Sequence, residues 1–373
     1  MNYKNAKLFG ADFRFHLTSF GVENGIFSHI GEERLDAEDL GGRIVLPGLI
    51  DIHTHGNSGV LFSDGKESSL QTIARFLAKN GTTSFDATSQ SDTFDELSAA
   101  FRTAAHAYLK TADGLARVCG VTMEGPFLSV KKKGGMNESN LRAPSIEAFY
   151  SLNKDAEGVI KIVAVAPELE GAEDLIREIS KGTRVSVAHT AASYDIASAA
   201  FEAGASHVTH LFNAMPPLLH REPGVIGAAA DAGHVRAELI ADGIHIHPGA
   251  VRAAFKLFGP ERIVLISDAI QFCGMPDGRY GDYRAENGKI TLPDGTLAGS
   301  AATLFVCVKK AAEFGIPVED AIRCATRNPA EVIGIFDKTG SIEPGKYADF
   351  LVCGGIGSEL RLEQVYIQGK PVI

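Results

Sequence analysis

From about residue 43 onward, short runs of β-branched and aliphatic residues alternate with longer stretches in which apolar side chains recur every three to four positions. Eight runs read as strands: "RIVLPGLIDIHTH" (43–55), "TTSFDAT" (82–88), "ARVCGVTMEG" (116–125), "VIKIVAVAPE" (159–168), "RVSVAHT" (184–190), "HVTHLF" (207–212), "RAELIADGIH" (236–245) and "RIVLISDA" (262–269). Such alternation is the pattern of a parallel sheet with crossover helices. Eight strand–helix units predict an α/β fold of the (β/α)8 TIM-barrel type. The segment "SSLQTIARFLAKNG" illustrates the helical stretches, with Ser68 or Ser69 expected to cap its start and Gly81 to end it.

The two ends lack long helical periodicity. Residues 1–42 and 337–373 carry short strand-and-turn patterns such as "GKYADFLVCGG" and "VYIQGKPVI". They predict one small β domain built from both termini, with residues 43–336 forming the barrel. A chain of 373 residues suits this division into one large unit and one small one.

Composition narrows the function. With 45% hydrophobic and 22% charged residues the chain is globular rather than disordered. A formal net charge of −10 disfavours a nucleic-acid partner, which needs a basic face to displace counterions. The opening residues show no apolar leader, and no uninterrupted apolar run nears the ~18 residues of a membrane span. Five cysteines without CxxC spacing argue against a disulfide framework, and the default location is a reducing cytoplasm. The lysine run in "KKKGG" (131–135) could guide an anion, although a solvated loop is the commoner reading of such runs.

Candidate chemistry gathers at predicted strand ends. In a strand, residues i and i+2 share a face, so His53 and His55 of "DIHTHG" converge. Glu124 closes strand three, His189 strand five and Asp268 strand eight, while His210 lies near the end of strand six. Each has a plainer explanation alone: Glu124 could cap a loop, the histidines could be satisfied core residues, and Asp268 could cap a helix. Their joint placement at the face where barrels carry their chemistry is harder to explain that way. Imidazole and carboxylate donors without thiolates suit Zn²⁺, and also Fe²⁺, Mn²⁺ or Co²⁺. A metal lowers the pKa of water, and a neighbouring carboxylate such as Asp268 can shuttle protons.

At these residues the chain resembles the amidohydrolase superfamily, and within it the family of N-acetylglucosamine-6-phosphate deacetylases. The matching stretches run through nearly the whole chain: "LPGLIDIHTHG", "MEGPFLS", "KKGGMN", "VAHTAAS", "THLFNAMPPLLHREPG", "IADGIHIHP", "ISDAI", "GTLAGSAATL" and "GSIEPGKYADFLV". The resemblance implies hydrolysis of the acetamide of N-acetylglucosamine 6-phosphate to glucosamine 6-phosphate and acetate, in amino-sugar catabolism, by a homodimer. By motif it assigns Glu124, His189 and His210 to the main metal and Asp268 to acid/base catalysis. It places Gly135, Asn213, Ala214, Arg221, His245, Leu297, Ala298, Gly299 and Ser300 against the substrate. Arg221 is also a sound phosphate partner on chemical grounds, since its guanidinium fork matches phosphate oxygens. His247, before Pro248, is expected to start the next helix.

Two features vary within that family. Some members replace the HxH pair and keep one metal; retention of His53 and His55 opens a second position, bridged to the first by Glu124. Where some relatives carry a histidine or glutamine in the "KKGGMN" stretch, this chain has Met136, whose thioether cannot donate a hydrogen bond. Carbonyl polarisation then falls to the second metal, and selection between gluco and galacto epimers could relax. The rivals are an N-acetylgalactosamine-6-phosphate deacetylase, a cyclic-amide hydrolase and a catalytically silent scaffold barrel. Strand four ends "VAVAPE", without the lysine that dihydroorotase-type enzymes commonly carboxylate.

Overall fold

Eight strands pair in parallel and in chain order: β1 (Leu49–Thr54), β2 (Thr82–Thr88), β3 (Arg117–Met123), β4 (Ile160–Val165), β5 (Arg184–Val187), β6 (His207–Val208), β7 (Arg236–Leu239) and β8 (Ile263–Leu265). This architecture comes from a computed structural model that describes residues 1–110 and 112–373. A helix separates each strand from the next, as the alternating pattern requires. The two faces of the sheet sort into different cores. Phe85, Val121, Val163, Val187 and Leu265 pack with helix residues such as Leu77 and Phe101. Ile50, Ile52, Cys119, Ile162 and Val264 instead cluster with Val332, Ile333 and Ile335, which follow or end the short helix Arg327–Val332. The β8–β1 seam closes just beyond the regular ladder: the Asp268 amide donates to the His53 carbonyl (2.9 Å), and the His55 amide to that of Ala269 (2.8 Å). Closure therefore sets Asp268 beside the HxH pair.

Both termini contribute to a second sheet, in which Phe350–Gly354 lies between Arg361–Ile367 and Ile44–Pro47, and Asn2–Phe9 continues the order. Its core is aromatic, with Phe350 stacked on Tyr366 at 4.4 Å and on edge to Phe20 at 5.3 Å. The expected strand at 43–55 is thus two strands. Ile44–Pro47 pairs antiparallel with Phe350–Cys353, and β1 begins after Gly48. At Gly48 the backbone passes so close to β2 that a Cβ would lie 2.1 Å from Thr83 Oγ1.

Other expectations need adjustment. The first barrel helix spans Glu67–Lys79 and neither serine caps it; Ser69 Oγ donates instead to Asp64 Oδ2 at 2.6 Å. His247 does cap the helix Pro248–Phe258, accepting from the Gly249 amide at 3.1 Å. A small antiparallel sheet, Gly278–Tyr280, Tyr283–Glu286, Lys289–Thr291 and Leu297–Ser300, follows β8 without having been anticipated. Among the described residues, no helix is long and apolar enough to cross a membrane. All five cysteines are free and buried.

Candidate active site

At the C-terminal ends of the barrel strands, side chains from β1, β3, β5, β6 and the β8 end meet over a cleft of about 520 Å³. His189, His210 and Asp268 stand where the parallel ladder stops, each with a left-handed backbone (φ 41°, 29° and 49°). Non-glycine residues pay in strain for that conformation, and such strain concentrates where side-chain direction matters.

The hydrogen-bond pattern defines what the cluster can hold. His189 Nδ1 donates to the Lys132 carbonyl (2.7 Å) and His210 Nδ1 to that of Asn213 (3.2 Å). Carbonyls only accept, so in the neutral rings Nε2 carries the lone pair. Those two Nε2 atoms nevertheless lie 3.1 Å apart, and 3.3 and 3.0 Å from Glu124 Oε1. Three acceptors facing one another repel unless a cation lies among them. Tetrahedral ligands at zinc distances are spaced about 3.3–3.4 Å apart, which these separations approach.

His53 and His55 form a second group on the same carboxylate. His53 Nδ1 donates to Glu238 Oε2 at 2.9 Å, leaving its buried Nε2 without a hydrogen-bond partner. His55 Nε2 lies 3.2 Å from Glu124 Oε2 and 3.3 Å from Asp268 Oδ1. Two buried clusters that could hold metal ions, His53–His55–Glu124 and Glu124–His189–His210, thus share Glu124. The donors fit the divalent ions expected of them.

The carboxylates favour positive charge in this cluster, carried as protons on the imidazoles of the ion-free protein and displaced when a cation binds. Burial opposes charge on His53 and His55, yet surrounding carboxylates overcome it: His53 is raised well above the usual imidazole range, and His55 to about 9. Glu124 and Asp268 are held low despite burial by the histidines around them. Asp268 is therefore ionised, the form a base needs.

Of the remaining predicted residues, Gly135, Asn213, Ala214, His245, Leu297, Ala298 and Gly299 line the cleft. His245 is fixed by Asp242, its Nδ1 donating to Oδ2 at 2.7 Å. Ser300 is buried and turns its hydroxyl to the Ser267 carbonyl (2.5 Å). Arg221 is exposed and does not line the cleft of its own chain. Met136 does, with Sδ 3.4 Å from the Ser91 amide. The lysine run is not merely a solvated loop: Lys131, Lys132 and Lys133 all border the cleft. Gln90, Tyr283, Asp294 and Thr296 border it too, and sequence reasoning had not singled them out. A separate cavity of about 460 Å³, between helices Glu67–Lys79 and Phe94–Ala107, contains none of this chemistry.

A parallel barrel whose strand ends present a paired His/Glu centre and an adjacent aspartate defines a metal-dependent hydrolase; in agreement, the amidohydrolase family description matches residues 44–372, and the chain belongs to that family. Within it, the chain is 36% identical over 358 residues to the N-acetylglucosamine-6-phosphate deacetylase of Vibrio furnissii, covering 94% of this chain and 88% of the relative. It is 33% identical over 355 residues to the N-acetylgalactosamine-6-phosphate deacetylase of Escherichia coli O157:H7, covering 94% and 93%. A point variant of the N-acetyl-D-glucosamine-6-phosphate deacetylase of Mycobacterium smegmatis, solved in complex with N-acetyl-D-glucosamine-6-phosphate, superposes with a TM-score of 0.91 at 29% identity, covering 100% of this chain and 99% of that one. The narrower family is that of the N-acetylglucosamine-6-phosphate deacetylases.

Proposed function

We propose that the protein hydrolyses the acetamide of N-acetylglucosamine 6-phosphate, giving glucosamine 6-phosphate and acetate. The observation that carries this reading is the convergence of Glu124, His189 and His210 in the same cleft as Asp268, in a chain whose relatives bear that activity. Zinc is the proposed ion, with Fe²⁺, Mn²⁺ and Co²⁺ compatible with the same donors. Glu124, His189 and His210 would hold the first ion and His53, His55 and Glu124 a second. Bound there, divalent ions acidify water and polarise a carbonyl oxygen.

Asp268 takes the proton from the water that attacks the acetamide carbon. A C–O bond forms and the carbonyl π pair moves to oxygen. Asp268 then delivers its proton to the amide nitrogen, the oxyanion pair re-forms the carbonyl as the C–N bond breaks, and the amine leaves; the acetic acid formed loses the second water proton to solvent as acetate. Met136 cannot donate a hydrogen bond to the carbonyl; a second cation, held by His53, His55 and Glu124, would supply that polarisation. Gly135, Asn213, Ala214, His245 and the segment Leu297–Gly299 are proposed to hold the sugar phosphate, with Ser300 behind them, bonded to the Ser267 carbonyl. The three lysines bordering the cleft support an anionic substrate.

A homodimer is proposed in which Arg221 serves the partner's cleft; the exposed Leu218 and Leu219 beside it offer apolar contact. Sedimentation at micromolar concentration tests this, and a monomer would contradict it. Activity is tested by free-amine release from acetylated amino sugars with and without the 6-phosphate. Turnover of the phosphorylated gluco compound well above its unphosphorylated form is expected. Equal rates on both would refute the substrate, and faster galacto turnover would favour the epimeric activity named for the Escherichia coli relative.

A further inference from the structure

Two buried titratable residues stand behind the metal cluster without a role in the chemistry so far, Glu238 of β7 and His207 of β6. Glu238 is fully buried between the apolar Ala237 and Leu239, a costly position for a carboxylate unless its oxygens are engaged. They are engaged from three sides. Oε2 accepts from His53 Nδ1 at 2.9 Å and from the His210 amide at 3.2 Å, while Oε1 accepts from His207 Nε2 at 3.1 Å. His207 Nδ1 is buried and meets no partner, as expected of an imidazole whose one proton sits on Nε2. The result is a continuous line, His207 to Glu238 to His53, ending at the unpartnered Nε2 of His53.

This arrangement differs from that of the first cluster. His189 and His210 are oriented by backbone carbonyls, which no substitution removes. His53 is oriented by a side chain. A carboxylate accepting from the far nitrogen of a ligand histidine fixes both tautomer and ring plane, and raises the basicity of the ligating nitrogen.

We propose that Glu238, braced by His207, is a positioning residue for the second cation: it holds His53 as the Nδ1–H tautomer and keeps Nε2 free to bind a divalent ion with His55 and Glu124. The inference rests on the two-cation reading of the cluster. His207 acts only through Glu238, by keeping the second carboxylate oxygen occupied so that the group does not rotate away from His53.

Cobalt(II) titrated into chelator-stripped protein, followed by its visible absorption, separates the two positions. The unaltered protein is expected to fill in two steps. In Glu238→Gln the first step stays in place, and the second moves to roughly 10- to 100-fold higher cobalt concentration. His207→Leu shifts the second step in the same direction, whereas His207→Gln, whose amide can still reach Glu238, restores it. An unchanged second step in Glu238→Gln would overturn the proposal. So would equal weakening of both steps, which would mark Glu238 as general support for the barrel. A single step in the unaltered protein would remove the two-cation reading itself, and with it the inference.

Discussion

Arg117 and Asp349, 232 positions apart, form a buried ion pair with Nη1 2.8 Å from Oδ2. Arg117 opens β3 of the barrel; Asp349 directly precedes the terminal strand Phe350–Gly354 and also accepts from the Gln368 amide at 2.8 Å. Tyr347 lies against the guanidinium, 4.4 Å from ring centre to Cζ. The pair thus ties the terminal sheet to the barrel. Removing one partner strands a charge in the interior, so Asp349→Ala is expected to lower stability by about 3–5 kcal/mol. Replacing both residues with well-packed apolar ones should cost much less. Urea unfolding of the three proteins checks this, and a single variant within about 0.5 kcal/mol of the parent would refute the role.

Asp268 is placed by barrel closure 3.3 Å from His55 Nε2, and its carboxyl is held low, against burial, chiefly by its hydrogen bond with His55 and by the charges of His53, His55 and His210. Asp268→Asn removes the proton shuttle while leaving Glu124, His189 and His210 intact. Initial rates of amine release are expected to fall by ~10²-fold to 10⁴-fold with metal content retained. A change of only a few-fold, with metal still bound, would show that another group moves the proton.

Much of this was legible before any coordinates, and the exceptions have physical causes. All eight barrel strands were readable because buried parallel strands are near-continuous apolar runs. Their ends were not: the runs at 184–190, 207–212 and 262–269 stop early, where His189, His210 and Asp268 turn to left-handed backbone. The break at Gly48 was hidden because aliphatic residues run up to it and resume directly after it, though the two strands belong to different sheets. The antiparallel sheet at 278–300 escaped notice because its strands are three or four residues long and half exposed. His53, His55, Glu124, His189 and His210 were found by strand-end chemistry. Glu238 carried an unused signal: a carboxylate set between Ala237 and Leu239 within a buried strand.

Arg221 should affect the phosphate and nothing else. Arg221→Ala is expected to raise KM for the 6-phosphorylated substrate by about 10- to 100-fold, the loss of one charge-assisted fork, with kcat little altered. The unphosphorylated sugar should be turned over as before. Steady-state kinetics on both substrates decides, and an unchanged KM would leave phosphate recognition to the lysines at 131–133.

Asp86 of β2 is fully buried, and neither carboxylate oxygen has a hydrogen-bond partner. Burial, opposed by Lys161, raises its pKa from 3.8 to about 8. Below pH 3.8 it is neutral in both folded and unfolded chains. Between 3.8 and about 8 only the unfolded chain ionises, so unfolding releases a proton and stability falls as pH rises; above 8 the loss is complete. From pH 6 to 9 this amounts to roughly 2–3 kcal/mol. Asp86→Asn should flatten that slope, measured as urea midpoints of metal-loaded protein at both pH values. A variant with the parental slope would place the titration elsewhere.

The central claim is that five ligands, from β1, β3, β5 and β6, surround divalent ions next to Asp268. Anomalous diffraction from crystals grown with zinc tests it most directly. Two peaks are predicted, one about 2.0–2.2 Å from His189 Nε2, His210 Nε2 and Glu124, the other equally near His53, His55 and Glu124. A map without a peak between His189 and His210 at saturating zinc would contradict the account.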